Sequence, residues 1–334
     1  MFAHIHRFLF VALAISACAQ SDSLSDEQLR PAVPDGFDPL PIPDHNPLTR
    51  DKVLLGQQLF FDPLLSIDST VSCATCHSPN TFFADGQVIS RGVGGRLGMR
   101  NTPSLINIAY HKLFFWDGGS ITLEHQVFGP LQNPDEMGLD LASVLQRLES
   151  IPAYREAFED IFGEVPSLRG LTQALGAYQR TLLSGGTRYD SYEAGDRMAL
   201  TPAEKRGHRL FEGKAGCIHC HNGFLLTNLV FENNGLSISK EDSGRARVTG
   251  LKEDYGKFKV PSLRNVTQTA PYMHDGQMAT LSDVIDHYDQ GGGGARGQSP
   301  LIQPLDLEDD EQADLEAFLH SLTDTTVFAG IEAP

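Results

Sequence analysis

Positive charge is what this chain most lacks. Against 43 aspartates and glutamates stand 26 lysines and arginines, a formal net charge of −17 over 334 residues. Such a surface repels a polyanion, so nucleic-acid binding is excluded. The same charge secures solubility and suits a cationic protein partner. Long apolar runs are scarce too. Beyond the first turns of the N-terminus, no segment approaches the ~20 apolar residues that a membrane-spanning helix needs. No convincing succession of strands appears, and the apolar positions recur at helical spacing. Phosphate-cradle chemistry lacks its signature: no Lys-Ser/Thr pair follows Gly291-Gly292-Gly293-Gly294, which reads as a flexible loop. Tryptophan occurs once, as Trp116, and cysteine five times.

Four of the five cysteines fall into Cys73-Ala74-Thr75-Cys76-His77 and Cys217-Ile218-His219-Cys220-His221. Both read C-x-x-C-H, the attachment signature of c-type haem. Two thiols that add across the vinyl groups of one porphyrin must sit about a helical turn apart. The histidine after the second thiol then falls under the iron as its proximal ligand. An all-thiolate zinc site is the alternative use of two C-x-x-C pairs, but zinc does not call for a histidine after both. The expectation is two covalent haems.

The fifth cysteine closes the N-terminal stretch. Arg7 precedes the apolar run Phe8 to Ala17, the pattern of a signal segment, and Ile15-Ser16-Ala17-Cys18 resembles a bacterial lipobox with Cys18 as the lipidated residue. The alternative is an ordinary secretory signal. Either implies export to the periplasm, where c-type haem is attached in bacteria, and any membrane association would run through a lipid on Cys18. Pro31, Pro34, Pro39, Pro41, Pro43 and Pro47 mark the stretch that follows as a tether with little core of its own.

The chain then becomes periodic twice. Leu48-Thr49 and Gly56-Gln57-Gln58-Leu59-Phe60 lead into the first haem motif; Leu200-Thr201 and Gly207-His208-Arg209-Leu210-Phe211 lead into the second. Pro103-Ser104-Leu105-Ile106-Asn107 matches Pro261-Ser262-Leu263-Arg264-Asn265, and without a gap Trp116-Asp117-Gly118 falls on His274-Asp275-Gly276 and Leu123 on Leu281. Leu175, Ala177, Tyr178 and Leu182 match Leu315, Ala317, Phe318 and Leu322 on amphipathic helices. The expected fold is mainly α, two tandem cytochrome c-like haem domains related by an internal repeat. The divisions are a signal segment 1–18, a Pro-rich tether 19–47, a first haem domain 48–190 and a second 191–334. Seven residues beyond Leu123 lies Pro130, and seven beyond Leu281 lies Tyr288. If both positions face iron, the first haem is open and the second is closed by a phenol. Met278, Met273 and His287 are the rival ligands. His4, His6, His45, His111, His125, His208, His219 and His320 have no placed partner and read as incidental.

These residues resemble the bacterial di-haem cytochrome c peroxidase family, including its MauG-like branch, from about Leu48 to Thr323. Its motifs here are both haem signatures, Arg100-Asn101-Thr102-Pro103, Phe115-Trp116-Asp117-Gly118, Gln126 with Gly129-Pro130, Asn133-Pro134-Asp135-Glu136-Met137 and Ala270-Pro271-Tyr272-Met273-His274-Asp275-Gly276. The resemblance implies that the first haem takes hydrogen peroxide, with Glu136 as acid–base group and Gln126 beside it. It implies Trp116 as the electron relay between the haems, and a calcium ion held by Asn101, Thr269 and Pro271. Many members carry a blocking histidine after the first haem motif; Gly86 to Met99 has none, and Val93 stands in its place. Ordinary members have methionine where Tyr288 stands, and the MauG-like branch has tyrosine. A phenolate lowers the haem potential and favours higher oxidation states.

The function expected is therefore an exported di-haem peroxidase, its electrons relayed through the second haem from a small redox protein, a c-type cytochrome or a cupredoxin. The alternatives are a MauG-like oxidase of side chains in a protein substrate and a non-catalytic di-haem electron carrier.

Overall fold

The structure is a computed structural model that describes residues 29–238 and 241–325. The signal segment, with Cys18, His4 and His6, lies outside the described residues. In chain order the helices are α1 (Arg50–Phe61), α2 (Cys73–Cys76), α3 (Leu123–Gln126), α4 (Phe128–Gln132), α5 (Leu141–Ser150) and α6 (Pro152–Phe162). They continue with α7 (Leu168–Arg180), α8 (Arg188–Glu193), α9 (Pro202–Glu212), α10 (Ala246–Thr249), α11 (Leu281–Asp289) and α12 (Asp309–His320). Strand is confined, among the described residues, to β1 (Phe231–Glu232) paired antiparallel with β2 (Phe258–Lys259). The chain is mainly helical, and its helices gather into two lobes.

Each lobe is organised on one long helix pair. In the first, Thr49 caps α1 by accepting the Lys52 N–H at 3.4 Å, and α1 packs on α7. Phe60 meets Tyr178 there with ring centroids 5.2 Å apart, inside a core that includes Leu59, Phe83, Leu148 and Leu175. In the second, a capping box opens α9: Thr201 Oγ1 accepts the Glu204 N–H at 3.3 Å, while Glu204 Oε2 accepts the Thr201 N–H at 2.8 Å. Helix α9 packs on α12, and Phe211 meets Phe318 at 5.1 Å in a core with Leu226, Leu281, Ile285 and Leu315.

Glycine sets both crossings. A Cβ on Gly56 would lie 1.9 Å from the Ala174 carbonyl oxygen, and one on Gly207 would lie 1.9 Å from the Asp314 carbonyl oxygen. The backbones touch where these residues have no side chain.

After each pair the chain returns to a left-handed asparagine. Asn107 (φ 58°) and Asn265 (φ 60°) are both 1% exposed. The Asn107 N–H donates to Leu182 O at 2.7 Å and the Asn265 N–H to Leu322 O at 3.0 Å. Their side chains converge on one residue: Asn107 Nδ2 donates to Ser184 O at 2.9 Å and Asn265 Nδ2 to Ser184 Oγ at 2.8 Å. Tyr189, on α8, packs on Phe318 of the second lobe at 5.4 Å. The Pro-rich stretch runs over the surface and straddles the lobes: Phe37 contacts Tyr110 at 6.0 Å and Phe224 at 4.9 Å. Its end is anchored where buried Asn46 donates to Glu124 Oε1 at 2.7 Å.

Because both crossings are backbone-tight, Gly56→Ala and Gly207→Ala should each cost about 1–3 kcal/mol or more, the scale of an overpacked core. Thermal melts followed by circular dichroism will show a clear fall in Tm; unchanged melts would remove the crossings as a constraint.

Candidate haem-binding cleft

A cavity of about 1050 Å³ opens between the lobes, at the upper end of the ~300–1,000 Å³ usual for one small-molecule ligand. Each haem motif reaches it. Cys73 and Cys76 sit on α2, a single turn, and Cys217 begins a 3-10 turn ending at His219. In both motifs the histidine N–H closes the turn on the first cysteine's carbonyl: His77 to Cys73 O and His221 to Cys217 O, each at 2.9 Å. Cys76, His77, Cys217, Cys220 and His221 line the cavity, while Cys73 packs against the first core. Among the described residues no three His, Cys, Asp or Glu converge as a metal-binding group, so the two thiol pairs are not gathered into one zinc site.

The imidazoles are oriented alike. His77 Nδ1 meets Phe83 O at 2.9 Å and His221 Nδ1 meets Leu226 O at 3.2 Å. A carbonyl only accepts, so Nδ1 carries the proton and Nε2 keeps its lone pair for a metal. Burial holds both rings neutral: it lowers His77 below the usual range and His221 to about 4. Two thiols a turn apart and a neutral, pre-oriented imidazole in each lobe fit c-type haem.

On the first lobe's side Gln126, Pro130 and Glu136 share the cavity wall. Glu136 ends a tight turn in which Asn133 Nδ2 donates to Glu136 Oε1 at 2.7 Å and the Glu136 N–H to Asn133 O at 3.0 Å. Burial raises its carboxyl above the usual range, against the opposing pull of Asn133. Val93 does not join the wall: it is 1% exposed in the core, and its N–H donates to Glu136 O at 2.8 Å. On the second lobe's side Tyr288 and Met273 line the cavity, whereas Met278 and His287 do not. Desolvation pushes the Tyr288 phenol up to about 12, opposed by a hydrogen bond from Asn234. The same Asn234 amide donates to Met273 Sδ at 3.2 Å, and Asn234 O accepts from His287 Nε2 at 2.9 Å.

Between the lobes, Trp116 Nε1 donates to Asn101 O at 2.8 Å, and the Asn101 N–H donates to His274 O at 2.8 Å. The repeat pairs Trp116 with His274, and one residue's backbone joins them. Asn101, Thr269 and Pro271 lie on the same cavity wall. Below them Arg100 clamps the lobes: Nη1 donates to Asp117 at 2.9 Å, while Nε and Nη2 grip Asp242 at 2.7 Å each. Burial would raise the Asp242 carboxyl, but Arg100 outweighs it and holds it below the usual range.

A two-lobed helical protein that turns one C-x-x-C-H histidine from each lobe into a shared cleft has the architecture of a di-haem c-type cytochrome. The family model described as di-haem cytochrome c peroxidase matches residues 50–198. Cytochrome-c peroxidase IdrP1 of Denitromonas iodatirespirans is 37% identical, over 96% of this chain and 94% of that protein. Methylamine utilization protein MauG of Methylorubrum extorquens is 41% identical, over 85% of this chain and 81% of that one. The crystal structure of a MauG-like protein associated with microbial copper homeostasis superposes with a TM-score of 0.84 at 36% identity, over 89% of this chain and 96% of that chain. The chain belongs to the di-haem cytochrome c peroxidase family, MauG-like branch included, and is a redox enzyme that carries c-type haem.

Two groups of residues escape a reading of the motifs. Asp242 lies 142 residues from Arg100 and in no repeated stretch. His111, read above as incidental, has a partner: Lys259 Nζ approaches its Nδ1 at 3.3 Å. A lone lysine between Phe258 and Val260, just ahead of a matched motif, was the available signal.

Arg100→Ala strips the guanidinium from two carboxylates that are themselves buried. A loss of about 3–5 kcal/mol is expected, read from denaturant melts. Because the folded Asp242 carboxyl is depressed, its contribution is complete above the unfolded value of about 3.9 and is lost as pH falls through the folded one. The parent should therefore lose more stability than the variant on acidification below about pH 4.

Proposed function

We propose that this chain is a MauG-type di-haem oxidoreductase. It uses hydrogen peroxide at the first lobe and takes the electrons, through the second lobe, from amino-acid side chains of a protein substrate. The carrying observation is Tyr288, which faces the cavity where Met278 and His287 do not; Met273 also lines it, but its sulfur already accepts from Asn234 Nδ2 at 3.2 Å. Cys73, Cys76 and His77 would hold the first haem, and Cys217, Cys220, His221 and Tyr288 the second. When bound, the haems supply iron that takes peroxide and stores oxidising equivalents.

The chain's own residues do the rest. Glu136 Oε1 is occupied by Asn133, which leaves Oε2 to hold the proton that moves from one peroxide oxygen to the other. Its raised carboxyl range keeps that proton available closer to neutral pH. The Gln126 carboxamide orients peroxide by hydrogen bonding. Pro130 offers no ligating atom, so the first site stays open to substrate. Trp116 relays electrons between the lobes. Asn101, Thr269 and Pro271 offer oxygens, the donors that a calcium ion takes, and would fix the lobes at the relay. The matched helix crossings and the two asparagine turns support two tandem cytochrome c-like domains, 48–190 and 191–334, related by an internal repeat. Export to the periplasm, with a lipid on Cys18, completes the reading.

The likeness to cytochrome-c peroxidase IdrP1 favours a second reading, in which a c-type cytochrome or a cupredoxin supplies the electrons. Peroxide turnover with each class of donor separates the two. Fast turnover with a reduced redox protein, and no oxidised side-chain product, would favour the second.

Two variants test the site. Glu136→Gln should slow peroxide cleavage about a hundredfold or more in stopped-flow mixing, with the ferric spectrum unchanged; equal rates would remove Glu136 from proton transfer. In electron paramagnetic resonance the ferric parent should show one high-spin and one low-spin haem without prior reduction. Tyr288→Phe should add a second high-spin signal. If instead Met273→Leu or Met278→Leu changes the low-spin signal and Tyr288→Phe does not, the ligand is methionine and the MauG-type reading falls.

A further inference from the structure

A cleft that receives haem must also receive the carboxylate side chains that every haem carries. Strand β2 carries Lys259 into the interface, where its N–H donates to Trp116 O at 2.8 Å. Its side chain crosses to the first lobe: Nζ donates to Leu113 O at 2.8 Å and to His111 Nδ1 at 3.3 Å. An ammonium has no lone pair, so Nδ1 must accept, and the ring proton of His111 sits on Nε2. That Nε2–H is buried and makes no hydrogen bond.

Lys259 is only 8% exposed, and no carboxylate among the described residues is paired with it. Asp117 acts on it through space, but its oxygens are taken by Arg100 at 2.9 Å and the Gly119 N–H at 3.0 Å. Burial without a counter-ion pulls the lysine down to about 8. Both Lys259 and His111 line the cavity. A cation and an orphaned N–H on opposite sides of one imidazole, both on the wall of the cleft, define sites for anionic acceptors.

We propose that Lys259 Nζ and His111 Nε2 bind the two carboxylate side chains of one haem, one donor from each lobe. The proposal rests on the reading that haem is attached in this cleft. The bond from the Lys259 N–H to Trp116 O puts the anchoring charge and the relay on adjoining strands of chain. The lysine would thereby set the potential of the haem it holds, and a haem seated in one lobe would help to hold the other in place.

The test uses the holoprotein with Lys259→Met, Lys259→Arg and His111→Phe. Covalent haem content is checked first, potentials are read by spectroelectrochemistry, and carboxylate bending modes by resonance Raman. Lys259→Met should keep both haems but lower the potential of one by about 59 mV, the equivalent of a tenfold change in a one-electron reduction constant. Its carboxylate mode should shift with it, because an unneutralised anion favours the ferric state. Lys259→Arg should stay near the parent. His111→Phe should shift the same haem in the same direction by less, and it carries the test if Lys259→Met does not fold, since Lys259 keeps its bond to Leu113. The haem that responds is the one whose carboxylates are bound. Unchanged potentials and carboxylate modes in Lys259→Met, or in His111→Phe should it stand in, would overturn the proposal. A parent without covalent haem would overturn the reading beneath it instead.

Discussion

The direction in which the two half-buried imidazoles face is governed by a run of hydrogen bonds that starts at the left-handed asparagines. Asn107 and Asn265 bind the chain ends of α7 and α12 through Leu182 O and Leu322 O. Three residues earlier in each loop, Ser104 Oγ donates to Phe82 O at 2.5 Å and Ser262 Oγ to Leu225 O at 2.6 Å. The next carbonyls along, Phe83 O and Leu226 O, are those that accept from His77 and His221. Helix packing thus reaches the ligand nitrogen through one short loop in each lobe. An asparagine serves because its side chain tolerates positive φ and bonds backbone on the far side.

Within that matched frame, asymmetry is confined to a few side chains. Pro130 and Tyr288 both line the cavity, and only the second has an atom able to bind iron. Glu136 is held in a turn that belongs to the first lobe alone. Asn234, which touches Met273 and Tyr288, belongs to the second. Two helical lobes can in this way line one cavity with different chemistry on each side without any change in their packing.

Much of this was legible in the chain itself, for local reasons. Thiol spacing and the following histidine are demands of covalent chemistry, so they stand together in sequence. Gly56 and Gly207 stand in matching stretches of sequence, and each marks a helix crossing. The wall positions of Pro130 and Tyr288 follow from counting along a gap-free match. What stayed hidden depends on partners far apart in the chain. Arg100 needs Asp242, and Lys259 needs Leu113 and His111; no periodicity or spacing links such residues until the lobes close on each other. His125 and His111 look equally idle in sequence, yet one meets its near neighbours Ser120 and Phe128 while the other faces a buried lysine from the opposite lobe.

The contact that ties Trp116 to the second lobe is made entirely by main chain on the Asn101 side. The indole gives its proton to Asn101 O, and the Asn101 N–H reaches His274 O. The Asn101 side chain is held as well, its Nδ2 donating to Gln87 O at 2.8 Å, but neither of these two bonds uses a side-chain atom of that residue. A proline at position 101, which removes the N–H, would break the link to His274 directly. The carbonyl of Trp116 adds a second tie by accepting the Lys259 N–H at 2.8 Å, so the backbone joins the tryptophan's segment to the opposite lobe on both sides.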